Sequence, residues 1–548
     1  MAQISISRPV AYFCAEYGLQ AGLPLYAGGL GVLAGDTVKE AADQNFPMVA
    51  VGLLYRGGKA IQKLTPEGTQ IEEDLSVDPV SLGFEHVFVP QEDQPLFVRV
   101  HLTREDVWAR VWKRTVNNTT LYLLDTDTDQ NDPDERGISK AIYLGSEEAL
   151  LKQQMVLGIG GVKLLDHLDI HPSVYHINEG RPAFLYWQLI RQFMENGGLT
   201  FEAAGAKAKS MIVYTNHTLV RAGNQSYNTQ LLENYSLYYA NKMGVRIGDL
   251  LKPGIDKSTG SFSMTQFALN LSVKASTVSQ PHFELSKSLW PEFDWVNITN
   301  GVHLPTWQDK GIKETQTDPV KLWEVHRRLK QELMEFVVKR AGYGYDPDRL
   351  VIAWARRIAG YKRLNSIFED VNRLAAILKK TNYPVQLLVA GKAHASDTAA
   401  KQILQNVIHA MQQQLSGHAI FVPNYDIEVA QMMTRGADVW INTPIQGQEA
   451  SGTSGMKAVA NGVLQLTVED GWAAEVDWHD RGWTMDNNHL KETFYFRLEQ
   501  DIVPAFYHRD EQGIPREWVA RMQKTINLSE QYSTTRMLKD YETKLYNV

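Results

Sequence analysis

The 548-residue sequence contains a single cysteine, Cys14, and no apolar run long enough to cross a membrane. One cysteine cannot form an intrachain disulfide, and its setting in the apolar run VAYFCAEYG predicts a small buried side chain rather than a nucleophile. A membrane helix needs about 20 consecutive apolar residues, and the N-terminus also lacks the basic and apolar regions of a secretion signal. We therefore expect a cytoplasmic protein with no membrane partner.

The sequence also lacks an excess of basic residues and the spaced ligands of known metal motifs. The formal net charge is -8, and residues of both signs are interspersed along the chain. Nucleic-acid binding requires a basic face, which this pattern does not provide. The sequence has no HExxH motif, no paired CxxC and no EF-hand loop. We expect neither a nucleic-acid partner nor a metal site.

Short apolar runs alternate with amphipathic segments along the whole chain. Continuous runs of this kind are typical of strands that are covered on both faces, as in parallel sheets. The alternation with helical segments predicts an α/β fold. The runs cover residues 48–55, 97–102, 121–125, 173–178, 211–217, 350–355, 385–390, 419–423, 439–442 and 463–468.

A chain of this length should form more than one core, since a domain has roughly 150 residues. The polar segment QDKGIKETQTDP near residues 308–320 is the predicted boundary, followed by a long helix that starts at Asp318 and Pro319. We predict an N-terminal lobe of residues 1–310 and a C-terminal lobe of residues 311–548, whose last helix crosses back to the first lobe. Two doubly wound, Rossmann-like lobes would place a ligand cleft between them.

Three stretches contain groups that could bind anions. YAGGLGVLAGD places Gly28, Gly29 and Gly31 before a predicted helix, where backbone amides can approach an anion, although a plain glycine-rich turn explains this stretch equally well. WARRIAGYKR follows a predicted strand directly. Its four cations at a strand's carboxyl end favour a polyanionic ligand. They are Arg356, Arg357, Lys362 and Arg363.

The third stretch, EASGTSGMKAVANG, places Lys457 directly after a run of small residues. Short side chains leave backbone N–H groups accessible, and hydroxyls can hold oxyanions, so the loop could cradle a phosphate. An ordinary turn before a helix near Met456 is an equally good interpretation of this stretch alone.

Taken in order, these stretches resemble the α-glucan phosphorylases, which are pyridoxal phosphate-dependent glycosyltransferases of two-lobed GT-B architecture. The chain looks closest to their short bacterial branch. EASGTSGMK and TNGVHLPTW are specific signatures, whereas GGLG is shared more widely among glycosyltransferases of this architecture. The resemblance implies reversible phosphorolysis of an α-1,4-glucan, such as glycogen, starch or maltodextrin. Orthophosphate would then release glucose 1-phosphate with retention of configuration.

The resemblance also implies a role for individual residues. Lys457 would form a Schiff base with pyridoxal 5'-phosphate, whose phosphate rather than its ring does the acid–base work. The other cofactor-binding residues would be Arg356, Thr453, Gly455, Trp307 and Tyr425. The orthophosphate site would be formed by Arg357, Lys362 and the backbone of Gly28 and Gly29. Sugar hydroxyls would contact Glu449, Ser451, Gly452, Asn300, Tyr361 and His217. The implied catalytic set is Lys457, Arg357, Lys362, His217 and Glu449.

The chain departs from the family pattern on the acceptor side. Arg181 stands where the family commonly has a histidine, and Ala359 and Gly360 replace a His-Glu pair of longer relatives. We expect these changes to affect glucan binding more than phosphate chemistry. No allosteric control by an N-terminal phosphorylation region is expected, because the matched segment begins by Ala11. The resemblance leaves a homodimer open.

Two other functions remain to be separated from this one. A nucleotide-sugar-dependent glucan synthase shares the fold and the GGLG loop, but such enzymes usually carry a lysine just before the glycines, where this chain has Tyr26 and Ala27. A non-catalytic glucan-binding relative would explain the changes at Arg181, Ala359 and Gly360. It would not explain why the predicted phosphate and cofactor contacts are retained.

Overall fold

The computed structural model describes residues 4–103, 105–143, 145–218 and 225–548. Its β-strands are β1 (Val10–Phe13), β2 (Met48–Leu53), β3 (Gly57–Leu64), β4 (Gln70–Ser76), β5 (Glu85–His86), β6 (Phe97–Leu102), β7 (Glu105–Val116), β8 (Thr119–Asp125), β9 (Val174–Asn178), β10 (Ile212–Thr215), β11 (Ser226–Tyr227), β12 (Phe262–Ser263), β13 (Lys274–Thr277), β14 (Trp295–Asn297), β15 (Leu350–Ala355), β16 (Val385–Ala390), β17 (Ala419–Val422), β18 (Val439–Asn442), β19 (Leu464–Val468) and β20 (Gly482–Met485).

Its α-helices are α1 (Gly29–Asp43), α2 (Pro133–Arg136), α3 (Glu147–Met155), α4 (Gly161–His167), α5 (Leu185–Gly197), α6 (Phe201–Met211), α7 (Thr229–Met243), α8 (Ile247–Leu251), α9 (Met264–Leu271), α10 (Gln280–Leu289), α11 (Leu304–Trp307), α12 (Lys310–Thr315), α13 (Pro319–Ala341), α14 (Val371–Leu378), α15 (Thr398–Gln412), α16 (Ile427–Gly436), α17 (Ser454–Val459), α18 (Leu490–Phe496), α19 (Val503–Tyr507), α20 (Arg516–Ile526) and α21 (Thr534–Asp540). None of these described helices has the length and apolar content needed to cross a membrane.

One sheet lies in the second half of the chain and contains six parallel strands in the order β17-β16-β15-β18-β19-β20. The chain builds outward from β15 in one direction and then returns to add β18 on its other side. In sheets of this kind a crevice opens at the carboxyl ends of the two strands where the order reverses. The segments that follow β15 and β18 therefore border such a crevice.

The sheet in the first half of the chain follows the same rule. Its parallel strands lie in the order β8-β2-β1-β9-β10-β13-β14, and the order reverses between β1 and β9. Strand β7 extends the sheet by pairing antiparallel with β8, and β5 and β6 pair with β7. The segments that follow β1 and β9 border the crevice of this sheet.

The predicted α/β fold is confirmed, and each of the ten apolar runs contains a strand. The prediction of a parallel strand is wrong for residues 97–102, because β6 pairs antiparallel with β7. In FVRVHL only every second residue is fully buried, namely Val98, Val100 and Leu102. An alternating pattern of this kind is typical of an antiparallel strand with one exposed face.

The polar segment around residues 308–320 is folded rather than extended. It contains α12, whose N-cap Asp309 accepts a hydrogen bond from the Gly311 amide and whose Ile312 is completely buried. The long helix α13 begins where it was predicted, with the Asp318 carboxylate accepting hydrogen bonds from two backbone amides. The division at residue 310 stays a prediction.

The C-terminal segment packs against the first sheet. Met537, Tyr541 and Tyr546 are buried in the same core as β1 and β9. The Tyr546 hydroxyl lies 2.9 Å from Nδ1 of His176, whose Nε2 lies 2.7 Å from the hydroxyl of Thr215. Burial lowers the pKa of His176 to about 3, so this imidazole is neutral at physiological pH. Helix α21 and the turn that follows it thus complete a core built from residues far earlier in the chain.

A buried ionic cluster holds the second sheet to helix α13. The carboxylate of Asp438 lies 2.8 Å from Nε2 of His326 and 2.6 Å from Nζ of Lys330, and it accepts a hydrogen bond from the Val351 amide. Burial acts to raise the pKa of Asp438, but Lys330 and His326 outweigh it and the pKa lies below its ordinary value. The carboxylate therefore stabilises the fold in its ionised form.

We expect Asp438→Asn to lower the free energy of unfolding by about 3 kcal/mol at pH 7, because it leaves Lys330 buried without its counter-charge. A carboxyl with a depressed pKa stabilises the protein above its unfolded pKa of about 3.9 and loses that effect as the pH falls through the folded pKa. The difference between the two proteins should therefore shrink only in acid. Urea unfolding at pH 7 and at pH values below 4 measures this difference in the free energy of unfolding.

The control is Asp348→Asn, which removes an exposed partner of Arg327 and should change the free energy of unfolding little. Equal losses in the two variants would contradict the prediction.

Candidate active site

A cavity of about 540 Å³ lies where the carboxyl ends of the two sheets meet. Segments that follow β1 and β9 line it from one side, and segments that follow β15 and β18 line it from the other. The cavity brings together nearly all of the predicted site residues: Gly28, Gly29, His217, Asn300, Trp307, Arg356, Arg357, Tyr361, Lys362, Tyr425, Glu449, Ser451, Gly452, Thr453 and Lys457. Gly455 is the exception.

Lys457 lies on the short helix α17 and is 6% exposed. Its Nζ lies 3.8 Å from the centroid of the Trp307 ring, within the range of a cation–π contact. Burial lowers the pKa of Lys457 to about 8, although Asp36 raises it, while Lys39 lowers it further. A substantial fraction of this amine is neutral near physiological pH, and a neutral amine can attack an aldehyde.

The loop before Lys457 needs two of its glycines for different reasons. Gly452 has a φ of +82°, a left-handed conformation that side chains other than glycine rarely adopt. A Cβ on Gly455 would lie 2.9 Å from both the Gln465 carbonyl oxygen Oε1 and the Trp472 ring. Gly455 therefore packs behind the cavity wall, where it lets the loop approach Trp472.

Arg356 follows β15 and is buried. Its guanidinium donates hydrogen bonds to Oδ1 of Asn442 and, at 3.0 Å, to the carbonyl of Ile441. Its Nε is also buried but finds no acceptor among the residues that the structure describes. A buried charged donor without a partner is costly, which points to an anionic ligand at this position.

The other three cations of this stretch divide between the cavity and its wall. Arg357 is exposed and lines the cavity, whereas Lys362 is buried and its ammonium pairs with the carboxylate of Glu449. Arg363 has a φ of +48° and points away, donating hydrogen bonds to the carbonyls of Thr443 and Asn487. The expectation of four cations at the ligand is therefore wrong for Arg363, because these carbonyls hold its guanidinium outside the cavity.

The glycine loop before α1 wraps around a carboxylate that the sequence analysis missed. Oε2 of Glu16 accepts hydrogen bonds from the amides of Ala27, at 2.8 Å, and Gly28, at 3.3 Å. A Cβ on Gly31 would lie 2.8 Å from the same oxygen, so a larger residue would displace it. Burial raises the pKa of Glu16, while the Ala27 amide and Arg181 lower it. The signal in the sequence was an acidic residue three positions after the buried strand β1.

Two of the predicted sugar-binding residues have buried polar atoms that await a partner. Oδ1 of Asn300 and Oγ of Ser451 make no hydrogen bond within the described ranges. Burial lowers the pKa of His217 to about 3, so its ring is neutral. Nε2 of His217 lies 2.6 Å from Oδ1 of Asn178, an arrangement that assigns the proton to Nε2 and leaves Nδ1 as an acceptor.

The far end of the cavity is formed by residues that follow β9 and by the segment before α3. The Arg181 guanidinium lies 4.1 Å from the centroid of the Tyr143 ring, and both residues line the cavity with Glu179. Burial raises the pKa of Glu179, although the His217 amide, Thr218 and Arg181 lower it. Gln154 also reaches this end, with a buried Oε1 that no donor in the described chain satisfies. Glu179 and Gln154 were not anticipated.

Lys392 also lines the cavity, beside Lys362 and Lys457, and the sequence analysis did not identify it. Burial lowers its pKa to about 8, Asp426 raises it and Arg340 lowers it. It follows β16, the neighbour of β15. Within the described residues, no group of three or more histidine, cysteine or acidic side chains is arranged to hold a metal ion.

The donor set suits two anions and one aldehyde. A buried lysine with a lowered pKa, a buried guanidinium with a free N–H and a loop of small hydroxyl residues could together hold a phosphorylated aldehyde cofactor. Arg357 is exposed and, with the start of helix α1, borders a second position in the same cavity. The unpaired polar atoms of Asn300 and Ser451 belong to residues that also line this cavity.

Comparison with known proteins gives a consistent result. Residues 308–490 match the family model described as carbohydrate phosphorylase. The chain is 34% identical to the glycogen phosphorylase of Aquifex aeolicus, over 98% of this chain and 86% of that protein. It is also 34% identical to the maltodextrin phosphorylase of Thermococcus litoralis, over 98% of this chain and 70% of that protein. The glycogen phosphorylase of Mycobacterium tuberculosis is 34% identical over 100% of this chain and 71% of its own length.

The match extends over almost the whole chain, including both sheets and the cavity between them. The resemblance noted from EASGTSGMK and TNGVHLPTW is confirmed, and the chain belongs to the carbohydrate phosphorylase family.

Proposed function

We propose that this chain catalyses the reversible phosphorolysis of an α-1,4-glucan, such as glycogen, starch or maltodextrin. Orthophosphate is the second substrate, and glucose 1-phosphate is released with retention of configuration. The observation that carries the proposal is the convergence of two cation sets and the unpaired sugar-side groups on one cavity. The names of the relatives support the same substrate class. The cytoplasmic location and the homodimer stay predictions.

We assign pyridoxal 5'-phosphate to the inner end of the cavity. The lowered pKa of Lys457 suits covalent attachment, and the Trp307 ring beside its amine offers an apolar wall. Arg356 has an unsatisfied buried N–H for the cofactor's phosphate. Thr453, in the loop that precedes Lys457, offers a hydroxyl. Tyr425 lines the same end, and Gly455 allows the loop to pass close to Trp472. When bound, the cofactor supplies a phosphate that can exchange a proton with the substrate phosphate.

The cations nearer the solvent receive orthophosphate. Arg357 can supply a charge-assisted and potentially bidentate contact, and Gly29 is the first residue of helix α1, where an anion is stabilised. Gly28 lines the same position, but its amide already donates to Glu16. The ammonium of Lys362 is paired with the carboxylate of Glu449, which fixes its position in the cavity wall. A phosphate dianion would share this ammonium with Glu449.

The remaining residues hold the sugar. Asn300 and Ser451 offer buried polar atoms to the glucose hydroxyls, and His217 offers its Nδ1 as an acceptor. Tyr361 and Gly452 complete the wall. With phosphate positioned on the same side as the departing chain, the reaction needs no pair of hydrolase carboxylates. Burial of the sugar excludes water, which would otherwise hydrolyse it.

The decisive experiment incubates the purified full chain with maltodextrin and orthophosphate and measures glucose 1-phosphate. The reverse reaction, release of phosphate from glucose 1-phosphate with a maltodextrin primer, should also proceed. Transfer from ADP-glucose or UDP-glucose without phosphate dependence would overturn the proposal in favour of a synthase. Calorimetric binding of glucan with no turnover in either direction would favour a non-catalytic relative. An absorbance band of the covalent cofactor, fixed to Lys457 by borohydride reduction, tests the cofactor separately.

We expect Arg181→His to change the affinity for glucan while leaving the kinetics of phosphate intact. The guanidinium packs on Tyr143 in the cavity wall, and losing this cation–π contact, at a cost of about 0.5–2 kcal/mol, would leave the ring free to shift against the glucan. The KM for maltodextrin should therefore shift roughly 2- to 30-fold, or the preferred chain length should change. Arg191→His, which alters a more distant arginine–tyrosine contact outside the cavity, is the control. A change in the KM for phosphate alone would contradict this assignment.

A further inference from the structure

We infer that Asp36 is the positioning residue of the Lys457 pocket: its buried carboxylate fixes the Trp307 ring against which the amine lies and supplies a negative charge that faces that amine. The inference rests on the cofactor assignment made above. Asp36 does not line the cavity itself, so it acts through Trp307 and Lys457.

The geometry of the carboxylate is well defined. Asp36 is 1% exposed and lies on helix α1, directly after the glycine loop. Its Oδ2 accepts a hydrogen bond of 2.7 Å from Nε1 of Trp307 and one of 3.2 Å from the His303 amide. Trp307 and His303 belong to the TNGVHLPTW stretch, more than 260 residues away in sequence. The hydrogen bonds thus tie the cofactor end of the cavity to the helix of the phosphate loop.

The second oxygen has a different environment. Oδ1 of Asp36 is buried and finds no hydrogen-bond donor in the part of the chain that the structure describes. An unsatisfied carboxylate oxygen in the interior is costly unless nearby positive charge compensates for it. Burial raises the pKa of Asp36 above its ordinary value, and Lys457 and Lys39 are the positive charges that act against this shift. We therefore assign the compensating charge for the unpaired oxygen to these two lysines.

The groups that face Asp36 come from three helices. Helix α1 itself carries Lys39, whose Nζ donates to the Thr306 hydroxyl, and also Glu40 and Asp43. Helix α11 follows His303, whose Nε2 lies 3.0 Å from the Asp43 carboxylate and 4.0 Å from Glu40. Helix α17 carries Lys457. Glu40 and Asp43 thus interact with His303, whereas Asp36 is the acidic residue of this helix that is left to interact with the Lys457 amine.

The consequence is a defined charge state for the amine before the cofactor arrives. Asp36 favours the ammonium form of Lys457, which the Trp307 face also attracts. Lys39 favours the neutral form. Substituting each residue in turn should therefore move the pKa of Lys457 in opposite directions, which a purely structural role would not do.

The test measures the pH dependence of amine labelling at Lys457 in the full-length chain, prepared without added pyridoxal phosphate, by mass spectrometry of the Lys457 peptide. We expect Asp36→Asn to lower the pKa of that amine by about one unit, the effect typical of losing a nearby opposite charge. Lys39→Met should raise the pKa. Asp43→Asn, on the same helix but paired with His303, is the matched control and should leave it unchanged.

The proposal is overturned if Lys457 titrates at the same pH in the wild-type chain and in Asp36→Asn. If that variant does not fold, Lys39→Met decides alone, because an unchanged or lowered pKa there also excludes the charge arrangement. Labelling needs no cofactor and no turnover. A shifted pKa with no subsequent attachment of pyridoxal phosphate would therefore count against the proposed function and not against the role of Asp36.

Discussion

Replacing Lys457 with alanine is expected to abolish covalent attachment of pyridoxal phosphate and to lower kcat/KM for phosphorolysis on the order of 1000-fold or more. The reason is the position of the amine, which is buried against Trp307 and has a pKa of about 8. We expect partial rescue by pyridoxal phosphate with a small amine, because the acid–base role is assigned to the cofactor's phosphate. Absorbance spectra and initial rates measure both effects.

A matched control tests whether the position of Lys457, rather than a lowered amine pKa alone, determines cofactor attachment. Burial also lowers the pKa of Lys163 to about 8, but that lysine donates to the carbonyl of Arg99 and lies outside the cavity. Lys163→Ala should retain the cofactor spectrum and the activity. If cofactor attachment survives in Lys457→Ala, or is lost equally in Lys163→Ala, the assignment of the cofactor site is wrong.

The second large effect is expected for Arg357→Ala, which should weaken the binding of orthophosphate and leave the cofactor bound. Arg357 lines the cavity from the segment after β15, next to the buried Arg356. Loss of a charge-assisted contact to phosphate should cost about 2 kcal/mol, or roughly 30-fold in kcat/KM for phosphate. The loss should be no larger because Arg357 is exposed, so solvent screens its charge. Initial rates at varied phosphate concentration measure the effect.

Two further variants define the anion sites. Arg357→Lys keeps the charge but not the planar fork, so it should recover part of the lost affinity. Arg356→Ala should instead weaken the binding of the cofactor, because the unsatisfied Nε of Arg356 is assigned to the cofactor's phosphate. If Arg357→Ala loses the cofactor spectrum and saturates normally with phosphate, the two anion sites have been exchanged.

Local features of the fold were readable from the sequence. Continuous apolar runs located the parallel strands, and Asp318 marked the start of α13, where its carboxylate accepts backbone hydrogen bonds. The position of a strand also fixes the residues that directly follow it, so Arg356 lies in the crevice because β15 ends there. Such predictions depend on neighbours in sequence, so burial pattern and capping chemistry are sufficient for them.

Contacts between distant segments were not readable. The pairing of Lys362 with Glu449 and the hydrogen bond from Trp307 to Asp36 join residues 87 and 271 positions apart. Arg363 does not reach the cavity because its guanidinium donates to the carbonyls of Thr443 and Asn487, which lie far from it in sequence. Six parallel strands follow the same order in both sheets although no sequence repeat is visible, since many apolar sequences satisfy the same burial.

The crossing of the C-terminal segment has a consequence for how the protein is made. Tyr541 and Tyr546, which close the core around His176, are synthesised only after every strand of the second sheet. As it leaves the ribosome, the first sheet therefore has a gap in its apolar packing that its own sequence cannot fill. Domains generally fold as units during synthesis, and incomplete cores are prone to aggregation. We therefore expect the core of the first sheet to stay incomplete until more than two hundred further residues have been translated.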